Sequence, residues 1–137
     1  MTSSRRTGIL AVLLLLPLAS AGRAAQFELG GAWATSADQC GKVFTRQGGK
    51  LGFTEMSDVY GGGFIVDGDQ IIGKFARCKI KAQKNDGDTV NLIAACATDI
   101  MLSSVQFEVK ALDADSIIRL FPGMEDLEIR YHRCPSP

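Results

Sequence analysis

The amino-acid sequence predicts an all-β domain with one short helix near its N-terminus. We expect an antiparallel meander of seven or eight strands, closed into a barrel or folded into a sandwich, and held by two disulfides. Three observations carry this. Short runs in which apolar and polar residues alternate recur along the chain, with Asp/Gly-rich turn signals about every ten residues. Apolar residues make up 46% of 137 residues, enough for one core and too few residues for two domains. Four cysteines follow a segment that reads as an export signal.

That segment is residues 1–21. Arg5 and Arg6 form a positive start, Ile9 to Leu18 a short apolar stretch, and Ala19-Ser20-Ala21 a cleavage site of small residues. About ten apolar residues fall well short of the ~20 that span a bilayer. The expectation is therefore a secretory signal over 1–21 and a single disulfide-bonded β domain over 22–137. No second long apolar run follows, so no membrane span is expected after cleavage. The product is expected to be exported, to a periplasm or outside the cell. The absence of an Asn-x-Ser/Thr site points to a bacterial source.

The elements of the domain follow in order. Gly30–Ala34 reads as a short first strand. Thr35 or Ser36 caps a short helix over Ala37–Thr45, with Val43 and Phe44 turned inward. Gln47-Gly48-Gly49 breaks it. Lys50–Tyr60 alternates loosely as a strand, and Gly61-Gly62-Gly63 reads as a flexible joint. Phe64–Val66 is a strand and Asp67-Gly68-Asp69 a hairpin turn. Gln70–Ala82 reads as one long strand bent at Gly73, and Thr89–Asp99 pairs with it. Ser103–Leu112 alternates cleanly, Val105, Phe107, Val109 and Ala111 on one face. Asp113–Ser116 turns the chain into Ile117–Phe121. After a loop, Leu127–Arg133 closes the meander, with Leu127, Ile129 and Tyr131 inward and Glu128, Arg130 and His132 outward.

The cysteines fit this register. Folding the chain about Asp86–Asp88 makes opposite positions add to about 174, which sets Cys78 across from Cys96. Opposite residues on antiparallel strands come within bonding range. By elimination Cys40 pairs with Cys134 and ties the two ends of the domain together. Zinc needs clustered ligands, and a redox site needs Cys-x-x-Cys; neither spacing is present.

Gly31-Ala32-Trp33 opening a β-meander resembles the start of the calycin barrels: the lipocalins, the avidins and the small periplasmic inhibitors of bacterial metalloproteases. The spacing from Trp33 to Cys40 is similar to that in the inhibitors, whereas a second disulfide departs from them. The resemblance implies that Trp33 packs at the closed end of a barrel under an arginine from a late strand. Arg130 is the expected partner, with Arg119 the alternative.

Several functions are excluded or disfavoured. Equal numbers of basic and acidic residues, 15 each and scattered, leave no basic face for nucleic acid. The one histidine, His132, lies in a charged alternating strand, and no Gly-x-Ser-x-Gly, His-Glu-x-x-His or P-loop is present. Asp67/Asp69, Asp86/Asp88 and Asp113/Asp115 suit hairpin turns better than calcium, since the twelfth position from Asp86 is Ala97 rather than Glu. Asp99 and Glu108 are the acids that could meet across strands for carboxylate-only chemistry. The expectation is a non-enzymatic barrel without a cofactor or metal. It would bind a small apolar molecule inside or an exported protein outside; a lumen above about 300 Å³ would favour the small molecule. The alternatives are inhibition of an exported metalloprotease through an extended N-terminal arm, Gly22–Gln26, and a purely structural envelope role.

Overall fold

A computed structural model describes residues 27–136; the expected signal segment and the arm Gly22–Gln26 lie outside the described residues. The fold is a closed antiparallel barrel of eight strands. In chain order the elements are β1 (Gly31–Ala34), α1 (Cys40–Val43), β2 (Phe44–Gln47), β3 (Lys50–Phe53), β4 (Gly63–Asp67), β5 (Gln70–Ile72), β6 (Arg77–Asp86), β7 (Thr89–Ala97), β8 (Leu102–Asp113), β9 (Ser116–Leu120) and β10 (Glu128–Cys134). Around the barrel the order is β1-β10-β9-β8-β7-β6-β5-β4, and β4 pairs back with β1. Strands β2 and β3 form a separate hairpin outside it.

Local chemistry sets the turns. At β4–β5 and β6–β7 the two-residue loops are Gly68-Asp69 and Gly87-Asp88, between Asp67↔Gln70 and Asp86↔Thr89. Each places a glycine of positive φ at the first central position, which is what a type II′ hairpin turn requires. At β8–β9 the Asp113 carboxylate instead accepts the Asp115 amide at 2.8 Å, an Asx turn that needs no glycine.

Pairing Cys78↔Cys96 lies in the β6–β7 ladder, and both expected disulfides are formed, Cys78–Cys96 and Cys40–Cys134. Such bonds are consistent with an oxidising compartment. Among the described residues no helix is long and apolar enough to cross a membrane.

Two cores result. Inside the barrel, Trp33, Val66, Ile71, Val90, Leu92, Ala94, Val109, Ile117 and Tyr131 are buried. Outside, α1 and the β2–β3 hairpin cover one wall: Val43 and Phe44 pack with Ala32, Ala34, Ile65 and Cys134. The Cys40–Cys134 bond staples this cover to β10.

The structure corrects several sequence expectations. The helix is shorter than Ala37–Thr45: a 3-10 turn over Ala37–Gln39 runs into α1, and Phe44 already begins β2. Lys50–Tyr60 is β3 followed by a second 3-10 turn, Ser57–Tyr60. Gln70–Ala82 is two strands, because Gly73 starts a tight turn closed by its amide on the Ala76 carbonyl, 2.8 Å. Strand β6 runs on to Asp86, past the expected end at Ala82. A register shift between Ile80 and Ala82 turns Ala82 outward. Leu127 lies exposed in the β9–β10 loop. Gly63 is no flexible joint: a Cβ there would meet the Trp33 carbonyl oxygen at 2.3 Å, so only glycine lets β4 approach β1 this closely.

Candidate functional site

The barrel has two unlike ends. The closed end carries the tight β4–β5, β6–β7 and β8–β9 turns and is plugged by Phe27–Gly30. Trp33 is 0% exposed, and its indole N–H donates to the Leu29 carbonyl at 2.8 Å. The Arg133 guanidinium lies 4.2 Å from the centre of the Trp33 ring. It donates to the carbonyls of Gly30 at 2.6 Å, Glu28 at 2.7 Å and Ala114 at 3.1 Å, and sits 3.4 Å from the Asp115 carboxylate. One side chain thus ties the N-terminal strap, the β8–β9 turn and β10 together.

The tryptophan is therefore where the resemblance implied, but its partner is Arg133, not Arg130. Strand parity explains the correction. Tyr131 faces the lumen, so Arg133, two residues on, faces the same way, while Arg130 is exposed on the outer face. Arg119 is inward but elsewhere in the barrel.

The lumen retains a chamber of about 230 Å³, lined by residues of seven of the eight barrel strands or the strap and turns joined to them. This is below the volume of about 300 Å³ that would by itself have favoured a ligand. Leu29, Phe64, Ile71, Leu92 and Val109 make the chamber apolar, Gly63, Gly73 and Ala76 leave room toward the open end, and Arg119 and Tyr131 supply the two polar heads.

Arg119 is fixed by stacking. Its guanidinium lies 4.5 Å from the Phe107 ring centre and 4.6 Å from that of Phe121. Its Nε is buried and has no hydrogen-bond partner. No carboxylate lines the chamber. Burial raises the Tyr131 pKa, while the Arg119 charge and its hydrogen bonding to the phenol oxygen act in the opposite direction. The net upward shift keeps Tyr131 a neutral O–H donor at ordinary pH.

A larger concavity, about 850 Å³, is an open groove between the β2–β3 hairpin and the β5–β6 and β7–β8 loops. Its walls mix Lys50, Glu55, Lys74 and Arg77 with Leu51 and Phe53, with no buried polar group converging on one point. The lumen is the better site on physical grounds despite its smaller size.

Other sequence candidates are dispersed. His132 sits opposite Ala34 and Ser116 on the outer face of β10. Asp99 is in the β7–β8 loop, and Glu108 is six residues into β8, about 20 Å along the strand, so the two acids do not face each other. Among the described residues no group of three or more His, Cys, Asp or Glu side chains is placed to hold a metal ion. Sequence reading named Arg119 only as the alternative partner of Trp33 and did not place it in the lumen. In Ser116-Ile117-Ile118-Arg119-Leu120 two adjacent isoleucines, both buried, hide the alternation that would have assigned it to the inner face.

Comparison of the chain with family models, with curated proteins and with solved structures finds no match.

Proposed function

We propose that this chain is an exported, non-enzymatic β-barrel binding protein that takes a small molecule into its lumen from the open end. The observation that carries this reading is a mostly apolar chamber lined by one charged side chain, Arg119, whose guanidinium lies 4.5 Å and 4.6 Å from the Phe107 and Phe121 ring centres. Placing a lone charge beside an apolar wall costs stability unless a partner compensates it. A molecule with a polar or anionic head in the chamber would give that charge a partner. The calycin resemblance of Gly31-Ala32-Trp33 supports the same reading, since the Trp33–Arg133 closure leaves the opposite end as the entrance.

The test is occupancy of the lumen. Ala76 lines the chamber from the β5–β6 turn and is half-buried, so Ala76→Phe should block the entrance without disturbing the ladder. Gentle-ionisation mass spectrometry of the exported protein, isolated without denaturant, should reveal a small bound molecule in the wild type and lose it in Ala76→Phe. Equal occupancy in both proteins would refute the lumen as the site.

A second reading, a protein partner on the outside, has one observation behind it. At the open end the β5–β6 loop presents Phe75, the β7–β8 loop Ile100 and the start of β8 Leu102, with 71%, 96% and 83% exposure. Chemical crosslinking in the exported fraction should then give an adduct that Ile100→Ser/Leu102→Ser abolishes; an adduct unchanged by that variant places the contact elsewhere.

A further inference from the structure

We infer that the lumen ligand is a small monoanion, a short apolar molecule whose carboxylate meets Arg119. This inference rests on the lumen reading above and adds the ligand's chemical class. Four features of the chamber define it.

The first is charge. Arg119 is the only Lys, Arg, His, Asp or Glu among the residues that line the chamber, so a bound anion would be its one close counter-charge there. A single cation matches a single negative charge; a dianion would keep one charge uncompensated in an apolar wall. The second is geometry. The guanidinium is planar and lies against two rings, 4.5 Å from the centre of Phe107 and 4.6 Å from that of Phe121, which restricts its motion. A planar fork matches the two oxygens of a carboxylate better than it matches a lone hydroxyl.

The third is the second donor. Tyr131 lines the same chamber and stays protonated there, so it adds an O–H to the guanidinium's N–H groups. No Asp, Glu, Asn or Gln side chain lines the chamber to accept from a cationic or amide head group, which disfavours an amine ligand. The fourth is volume. A chamber of about 230 Å³ lies below the range of about 300–1,000 Å³ that takes drug-sized molecules, so it suits a short ligand. The remaining walls, Leu29, Ile71, Leu92 and Val109 among them, are aliphatic and suit a short hydrocarbon tail.

Hexanoate, hexan-1-ol and hexylammonium have nearly the same tail and differ in the head, so they separate the two levels of the proposal. Calorimetric titration of the exported chain, freed of bound molecules, should give binding of hexanoate at least about tenfold tighter than of hexan-1-ol, a difference worth about one charge-assisted hydrogen bond. Hexylammonium should not bind. Arg119→Met should bring hexanoate down to the level of hexan-1-ol and leave hexan-1-ol unchanged. Arg119→Gln, which keeps a planar polar head without the charge, serves the same purpose if the methionine variant does not fold. Methyl NMR shifts on binding should fall on Leu92 and Val109 and not on Ile100 or Leu102.

If hexan-1-ol binds as tightly as hexanoate and neither variant changes the ratio, the anion assignment is overturned while the lumen remains a binding site. If none of the three probes binds and Leu92 and Val109 do not shift, both the assignment and the lumen reading are overturned.

Discussion

The two ends of this barrel each hold an arginine against aromatic rings, and they use it differently. At the closed end Arg133 covers Trp33 and gives its donors to three backbone carbonyls and an aspartate. At the lumen's open side Arg119 lies against Phe107 and Phe121 and keeps a buried Nε unsatisfied. The first joins segments about a hundred residues apart in sequence, such as Glu28 and Arg133, and so opposes the entropy of an open chain. The second joins nothing in the backbone. The comparison separates an arginine whose donors are taken up by the scaffold from one that the backbone does not engage.

Variants can break or sharpen this contrast. The largest effect is expected at the closed end. Trp33→Ala removes the largest fully buried side chain in the lumen and its hydrogen bond to Leu29, and should lower unfolding free energy by about 3–5 kcal/mol in urea titration. If Trp33→Ala cost under about 1 kcal/mol, the closed end would not be the keystone described.

Gly63→Ala comes next. Its methyl would fall against the Trp33 carbonyl and the Phe44 ring, both backed by packed structure, so β1 and β4 must part. A loss of about 2–3 kcal/mol is expected, in the range of overpacked cores. An unchanged midpoint would mean that the strands separate freely there.

Opening the Cys40–Cys134 bond, as Cys40→Ser/Cys134→Ser, frees a loop closed over 94 residues. Chain entropy for that length gives up to roughly 4–5 kcal/mol, and measured effects are often smaller. Because α1 and the β2–β3 hairpin lie outside the barrel, their amides should lose hydrogen-exchange protection before those of β7 and β8. Uniform loss of protection would show instead that the cover and the barrel are one cooperative unit.

The smallest effect concerns pH. Burial raises the folded-state pKa of Tyr131 above its ordinary value of about 10. The unfolded chain therefore releases this proton first as pH rises. The corresponding stability is complete below about pH 10 and declines as pH climbs through the folded value. Tyr131→Phe should flatten that alkaline decline, read as the urea midpoint between pH 9 and pH 11.5. A decline of the same slope in the variant would assign it to other groups.

Much of this was legible in the sequence, for reasons that residues make plain. Alternation in Val105–Ala111 and Val90–Cys96 is clean because each strand faces a packed lumen on one side and solvent on the other. The turn at Gly87-Asp88 and the cysteines specify one register, and the ladder Cys78↔Cys96 follows it. What was not legible depends on contacts far along the chain. Nothing local says that Lys50–Phe53 leaves the barrel to pair with β2, because that hairpin is defined by the outer wall it covers. The bulge after Ile80 inverts Ala82 without a glycine or proline to announce it. Arg133 was within reach: the inward parity of Ile129 and Tyr131 runs on to it and excludes Arg130. Arg119 was not, since Ile117 and Ile118 are both buried and leave the strand's inner face undefined.

The most direct test sets the two arginines side by side, measuring the unfolding free energy of Arg133→Met and Arg119→Met against the wild type in the absence of any bound molecule. Arg133→Met should lose about 2–4 kcal/mol, since it strips donors from three carbonyls and the stack from Trp33. Arg119→Met should stay within about 1 kcal/mol of the wild type or exceed it, because relief of an unsatisfied buried donor offsets the lost stacking on Phe107 and Phe121. A loss at Arg119 as large as that at Arg133 would contradict the account, for it would make both arginines parts of the scaffold and leave the lumen without a group held in readiness for a ligand.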